Sequence, residues 1–358
     1  MAPNANIPII DIAAPGVDRT AIARQLVEAA VEHGFIYIRN TGKYINLGDI
    51  DAAFDLSKKL FKAPVEEKAA CTIQQNNRGW SGMHSETLDP KNQRASRRLQ
   101  GVRLPIAALI AFNFGEFKDA KAQQPLPPTI QPNEPFLNSF RDQCHALCLE
   151  LLNLLGIGLE VDPPTFFSAA HLREKGDSGT ILRMLYYPPS SATSSPDDVR
   201  AGAHSDYGSL TLLFRLRGQA GLEILTRENT WAPVPVTPPG AEADALPPIL
   251  INIGDLLSYW TNGMFRSTVH RVVFGGEGAP GETDTGPRYS MAFFCHPVGS
   301  VTLDPVPSER VKQFVAPEGT PHANPYAERK VMTADEHLFM RLRESYKGLY
   351  KEEEATKA

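Results

Sequence analysis

The sequence predicts a mainly β protein with flanking helices, its core a sandwich, barrel or jelly roll preceded by a mixed α/β region. Three observations carry this expectation. From Ile181 onward eight short strand-like runs follow one another: "ILRMLYY", the stretch around "AHSDY", "SLTLLFRL", "LEILT", "WAPVPV", "PILINIG", "FRSTVHRVVF" and "RYSMAFFCHP". Turn-rich stretches such as "RGQAG", "TPPGAEAD", "TNGM" and "GGEGAPGETDTG" separate them. The chain also carries 30 prolines and 27 glycines in 358 residues, which suits many turns better than a helical bundle.

The elements before and after this block differ in period. "IPIIDI" and "GFIYIRN" read as strands, and "DRTAIARQLVEAAVEHG" between them has helical spacing closed by Gly34. "DIDAAFDLSKKLFKAP" is a second helix stopped by Pro64. The Pro-rich connector "QQPLPPTIQPNEP" leads into the long amphipathic run "FLNSFRDQCHALCLELLNLLGIGL". The tail "TADEHLFMRLRESYKGLY" reads as a closing helix, with Thr333 and Glu336 at capping-box spacing. No solenoid or propeller repeat is visible. The expected divisions are an N-terminal region over 1–125, a connecting helical segment over 126–178, a β core over 179–300 and a C-terminal extension over 301–358.

Composition narrows the function classes. With 42% hydrophobic and 22% charged residues the chain has an ordinary globular composition, and it is long enough to bury a substantial core. A net charge of −5 offers nothing to nucleic acid or an anionic membrane. No apolar stretch approaches spanning length, and "MAPNANIPIIDIAAP" has neither a basic n-region nor a long apolar h-region. The terminal "ATKA" is not a peroxisomal address. Cys71, Cys144, Cys148 and Cys295 lack C-x-x-C spacing and read as buried reduced thiols. A cytoplasmic protein, monomeric by default, is the expectation.

The chemistry concentrates in the β block. In "AGAHSDYGSLTLLF", His204 and Asp206 stand at i and i+2, which on a strand puts both side chains on one side, about 6.5–7 Å apart. His270, within the later strand "FRSTVHRVVF", completes a candidate set. Two histidines and one carboxylate on one face of an octahedral ion leave three positions open, as in non-haem Fe(II) oxygenases. The same set with water suits a hydrolytic zinc site, and His270 alone reads equally as a hydrogen-bonded core histidine. Arg288 and Ser290 in "PRYSMAFF" again share a strand face. An arginine aimed into an apolar core is costly unless it meets a carboxylate, so a ligand carboxylate is expected there, with Ser290 as a hydroxyl donor. Tyr187, ending "ILRMLYY", is a further donor or a half-buried aromatic.

Taken together, these motifs resemble the isopenicillin N synthase-like branch of the Fe(II)/2-oxoglutarate-dependent dioxygenases. "IPIIDI" and "HGFIYIRNTG" resemble the opening of its N-terminal region, and "NNRGWSGMHSETLDP" its R-G-(Y/W) segment. "LRMLYYPP" resembles the strand entering the core, while "HSD", "NIGDLLSYWTNGMFRSTVHRV" and "RYS" match the H-x-D, distal-histidine and R-x-S motifs in order. The resemblance implies a double-stranded β-helix (jelly roll) at 179–300 with helices packed around it. It implies His204, Asp206 and His270 as the catalytic iron ligands, with Arg288, Ser290 and Tyr187 at the 2-oxoglutarate. The implied reaction is oxidation of a small organic substrate by O₂, whether hydroxylation, desaturation or ring chemistry, with release of succinate and CO₂. Arg78, Trp80 and Phe294 are the expected substrate contacts, and positions 290, 292, 294 and 296 are expected to share the inward face.

Three departures stand out. Leu185 replaces an asparagine that many relatives place near the keto acid. A basic cluster (Arg94, Arg97, Arg98, Arg103) precedes an apolar run from Leu104 to Ala111, an addition near the active-site mouth or a solvated loop. R-x-S also occurs in members that do not use 2-oxoglutarate, so a 2-oxoglutarate-independent iron oxidase is the alternative enzyme. A jelly-roll binding protein with a vestigial metal site is the alternative outside enzymes. His84 and His145 have no partners at ligand spacing and read as surface or helix histidines.

Overall fold

The computed structural model describes residues 3–82, 109–189, 199–273, 286–315 and 330–345. The N-terminal part supplies strands β1 (Ile9–Ile10), β2 (Phe35–Ile38), β3 (Gly79–Ser81) and β4 (Ile110–Phe114) and helices α1 (Arg19–Glu32), α2 (Leu47–Lys62) and α3 (Val65–Ala69). A small hairpin, β5 (Phe117–Lys118) and β6 (Lys121–Ala122), precedes the long helix α4 (Glu134–Gly158) and the short α5 (Phe166–Ala170). The eight expected core runs become β7 (Ile181–Tyr187), β8 (Val199–His204), β9 (Leu210–Arg215), β10 (Leu222–Leu225), β11 (Trp231–Pro233), β12 (Ile249–Ile253), β13 (His270–Val273) and β14 (Arg288–Cys295). Helix α6 (Asp255–Trp260) separates β12 from β13, and α7 (Glu309–Lys312) and α8 (Ala334–Ser345) follow the core.

Among the described residues these strands form an eight-stranded sheet, β1-β2-β12-β9-β14-β7-β4-β3, and a four-stranded sheet, β11-β10-β13-β8. Starting at β7 the chain alternates between the two sheets, except for the β10–β11 hairpin, which stays in the smaller one. That winding is a double-stranded β-helix. Of the strands before residue 125, β1 and β2 extend the larger sheet on one side and β4 and β3 on the other, while β5 and β6 pair with each other.

Period-2 alternation gives the larger sheet two different faces. On β14, Tyr289, Met291, Phe293 and Cys295 join the outer core, against which α1, α2 and α4 pack. Arg288, Ser290, Ala292 and Phe294 point the other way, toward the smaller sheet. β7 repeats the pattern, with Leu182 and Met184 outward and Ile181, Arg183, Leu185 and Tyr187 inward. The inward face therefore holds both an apolar inter-sheet core and the polar residues of the site.

Local signals place the helices. The Asp18 side chain accepts from the Thr20 amide at 2.9 Å and starts α1. Gly34, at φ +65°, turns the chain into β2 where a Cβ would run into the Arg266 carbonyl. α2 begins two residues before the expected Asp49, because Asn46 caps it through the Gly48 amide at 2.8 Å, and it ends ahead of Pro64. The Thr333–Glu336 capping box forms: the Thr333 amide donates to Glu336 Oε2 at 2.8 Å, and the Glu336 amide to Thr333 Oγ1 at 3.2 Å.

Two strand expectations were too long. "IPIIDI" shrinks to Ile9–Ile10, paired parallel to β2. "FRSTVHRVVF" becomes a strand only at His270, because the Arg266 amide donates to Ala30 O (3.0 Å) and Thr268 Oγ1 to His33 O (2.7 Å), tying those residues to the end of α1.

Candidate active site

His204 ends β8 and stands directly opposite His270, the first residue of β13, so their rings lie 4.4 Å apart between centroids. Asp206 comes from outside the strand. β8 stops at His204, and the Asp206 carbonyl accepts the Asp255 amide at 2.7 Å, drawing the chain toward the start of α6. The expectation that one strand supplies both side chains is corrected accordingly: strand end and following turn supply them. Asp206 Oδ1 lies 3.9 Å from His204 Nε2 and 3.7 Å from His270 Nε2. One donor atom from each of the three residues falls within 4.8 Å of the others.

The remaining polar atoms of the triad are committed elsewhere. His204 Nδ1 faces the Gly202 carbonyl at 2.7 Å, and His270 Nδ1 faces the Thr268 carbonyl at 3.1 Å. A ring nitrogen facing a carbonyl carries the proton, so both Nε2 atoms keep their lone pairs for the centre. Asp206 Oδ2 accepts from Thr211 Oγ1 (2.6 Å) and Asn252 Nδ2 (2.7 Å), which leaves Oδ1 facing the histidines. Phe35 meets the His270 ring edge-on at 5.5 Å and fixes its plane.

Protonation states fit. Burial, then the neighbouring His270, hold the His204 imidazole down at about 4. Burial pushes the Asp206 carboxyl up, but His270, His204, Thr211 and Asn252 together outweigh it and hold the group below its ordinary value. At neutral pH the centre is thus a neutral His204 imidazole beside a carboxylate, the N/O donor chemistry that suits a divalent Fe ion. The donor set fits the metal.

The same cavity holds the second group of residues. Arg288 and Ser290 are both 2% exposed, and Arg288 Nη1 lies 3.5 Å from Ser290 Oγ. Arg288 Nε donates to the Ala220 carbonyl at 3.1 Å, and the guanidinium stacks over the Tyr187 ring at 4.9 Å. The register explains the stacking, since Tyr187 is directly paired with Arg288 across β7 and β14. A guanidinium, a hydroxyl and a phenol facing one cavity with the triad suit a dicarboxylate chelated at the centre.

The other expected residues divide. Phe294 and His296 line the cavity with Ser290, as strand period requires. Arg78 and Trp80 do not line it: the Arg78 side chain lies along Gly115, and Trp80, paired with Phe112, packs on the outer core. Asn77, one residue earlier, lines the cavity instead. His145 is a helix histidine of α4, as one of its two expected readings had it, but a buried one, with Nε2 2.9 Å from the His171 carbonyl, because α4 packs that face inward. His84 and residues 94–108 lie outside the described residues; Leu109, ending the described side of that apolar run, lines the cavity. All four cysteines are free and buried.

Sequence reasoning missed Arg183, Thr211 and Asn252. Each is a polar residue at an inward position of an otherwise apolar strand, a signal that period-2 counting carries. It also missed Leu338 and Leu342 of α8, for which no local signal exists.

Comparison with known proteins agrees with this geometry. Residues 178–297 match the 2OG-Fe(II) oxygenase superfamily, and residues 7–104 match the N-terminal domain of non-haem dioxygenases in morphine synthesis. The chain is 34% identical to a UPF0676 protein of Schizosaccharomyces pombe over 85% of this chain and 86% of that one. It is 30% identical to the 2-oxoglutarate-dependent dioxygenase frbA of a Dothideomycetidae species, over 81% of this chain and 84% of the relative. Among solved structures, a full-length Neurospora crassa protein in complex with alpha-KG and thymine superposes with a TM-score of 0.72 at 28% identity, covering 94% of this chain and 96% of that one. The chain belongs to the 2OG-Fe(II) oxygenase superfamily and is a 2-oxoglutarate-dependent dioxygenase, with Fe(II) as its metal and 2-oxoglutarate and O₂ as co-substrates.

Proposed function

We propose that His204 Nε2, Asp206 Oδ1 and His270 Nε2 hold the Fe(II), that Arg288 and Ser290 bind the distal carboxylate of 2-oxoglutarate, and that Tyr187 flanks it. One observation carries the reading. Every other polar atom of the triad is already bonded, so three donor atoms converge with nothing else to do. Bound there, the iron supplies the O₂-dependent chemistry that turns 2-oxoglutarate into succinate and CO₂ while a substrate C–H is oxidised.

The chain's own residues prepare that chemistry. Gly202 and Thr268 set the tautomers of the two ligand histidines, and Thr211 with Asn252 fixes which carboxylate oxygen of Asp206 faces the metal. Arg288 provides a buried positive charge whose direction is set by Ala220 and by the Tyr187 ring, so a carboxylate arriving there meets a preoriented fork. Leu185 lines the wall where an asparagine contact would otherwise be, so orientation of the keto acid falls to Arg288 and Ser290.

The substrate is a small molecule that meets Phe294, Tyr207, Asn77 and Arg183 on the cavity wall. Two aromatic faces, an amide and a guanidinium suit a flat molecule with carbonyl oxygens, and the thymine bound by the Neurospora relative makes pyrimidine bases the first compounds to try. Four buried free thiols support a reducing, cytoplasmic setting. The test is succinate release from 2-oxoglutarate by Fe(II)-loaded protein across a panel of pyrimidines and other flat heterocycles. Stimulation by one class, lost in His270→Ala, supports the reading. Succinate release that persists in His270→Ala overturns the triad.

A further inference from the structure

We propose that Arg341, on helix α8, is a positioning residue for the iron site and acts through Asp255; the inference rests on the metal ligands assigned above. Asp255 opens α6 and is 5% exposed. Its Oδ2 accepts from Ser205 Oγ at 3.0 Å, and its Oδ1 accepts from Ser267 Oγ at 2.6 Å. Its backbone amide donates to the Asp206 carbonyl at 2.7 Å. Ser205 stands between two metal ligands and Ser267 three residues before the third, so one carboxylate tethers both ligand-bearing segments.

That tether depends on charge balance. A buried carboxylate left without a counter-charge draws in water, which competes for its two hydroxyl donors and loosens its grip on them. Arg341 Nη2 lies 2.8 Å from Asp255 Oδ2, the two side chains being 16% and 4% exposed. The same guanidinium stacks over the Tyr207 ring at 5.0 Å, next to the ligand Asp206. Leu338 and Leu342, on either side of Arg341 along α8, line the active-site cavity. A helix that lies after the jelly roll in sequence therefore walls the cavity and holds the loops that carry the ligands.

The capping box at Thr333 fixes where α8 starts, and backbone bonds from Ala334 to Val301 O (2.9 Å) and from Asp335 to Gly299 O (3.0 Å) anchor it to the segment after β14. Gly254 permits the close approach on the other side: a Cβ there would run into the Gly208 backbone, while its amide donates to Ser209 O at 3.0 Å.

The test is anaerobic equilibrium dialysis of full-length protein against Fe(II), with no turnover involved. Loss of a partner that orients a metal ligand weakens metal binding by roughly 10- to 100-fold. Arg341→Met is expected to raise the Fe(II) Kd within that range, and Arg341→Lys is expected to recover part of the loss. Asp255→Asn raises the Kd too, and Asp255→Asn with Arg341→Met is expected to be no worse than the poorer single variant, since the two act through one contact. An unchanged Kd in Arg341→Met, or effects that multiply in the double variant, overturns the proposal. If Arg341→Met does not stay folded, Arg341→Gln, which removes the charge but keeps a polar side chain, decides: wild-type affinity there overturns the proposal, and a raised Kd that Arg341→Lys partly restores supports it. Wild type and His270→Ala run alongside. Should wild type fail to bind Fe(II), or His270→Ala bind it equally, the ligand assignment itself is at fault rather than the role of Arg341.

Discussion

The two ends of the active-site cavity are built differently. The proposed metal and co-substrate end rests on strand residues paired within each sheet, His204 with His270 in the smaller and Tyr187 with Arg288 in the larger, with Asp206 added from the turn after β8, and the strand residues' directions follow from register. Another part of the cavity wall is made of pieces far apart in sequence: Asn77 from the turn before β3, Leu109 before β4, Tyr207 from the loop after β8, and Leu338 and Leu342 from α8. The first kind of construction holds a fixed chemistry. The second can change residue by residue without disturbing the metal, which is how one fold serves many substrates.

Substitutions separate the two ends. The largest effect is expected at the ligands, where His270→Ala or Asp206→Ala should abolish Fe(II) binding and with it succinate release; retention of stoichiometric iron in either would break the distinction at its root. Next comes the clamp. Arg288→Ala removes a desolvated charge pair of about 2–5 kcal/mol, so the 2-oxoglutarate KM should rise from roughly 30-fold to several thousand-fold while iron still binds. Behind the proposed ligands, Asn252→Leu removes one of the two donors to Asp206 Oδ2, leaving only Thr211, and should weaken Fe(II) binding by roughly 10- to 100-fold, as read by dialysis. Farther along the cavity wall, Phe294→Ala should raise the KM of the primary substrate roughly tenfold and leave the Fe(II) and 2-oxoglutarate affinities alone. A shift in metal affinity there would erase the contrast.

The mildest change is in stability with pH. Burial holds His171 and His296 at about 3, and burial together with Arg341 holds His337 at about 4, against an ordinary value of 6.5. The unfolded chain therefore binds more protons than the folded one between these values and 6.5. Stability is full above pH 6.5 and falls as the pH drops through that window toward 3. Urea midpoints measured at pH 7.5, 6 and 5 should decline in that order, and a midpoint that rises on acidification would contradict the buried neutral histidines.

The same contrast governs what was legible in the sequence. His204, Asp206, His270, Arg288 and Ser290 could be picked out because strand period and motif order are local properties, and the eight core strands could be counted because turn residues punctuate them. Thr211 and Asn252 were equally local and went unread, Asn252 being the lone polar residue of β12 and Thr211 sharing β9 with Arg215. Asn77 went unread in favour of Arg78 and Trp80, because strand alternation does not extend into the turn before β3, where Asn77 sits at φ +60°. The role of α8 was out of reach in principle. Its Arg341–Asp255 contact joins positions 86 residues apart in the chain, and only packing brings them together.

The triad and Arg288 are proposed to form one site for Fe(II) and 2-oxoglutarate, and an anaerobic titration of Fe(II)-loaded protein with 2-oxoglutarate tests this, following the visible metal-to-ligand charge-transfer band of the chelated keto acid. A saturable band is expected in wild type, absent in Asp206→Ala and needing far more 2-oxoglutarate in Arg288→Ala. Iron-loaded wild type that develops no band, or an Asp206→Ala variant that keeps it, would mean that the site is not the one proposed.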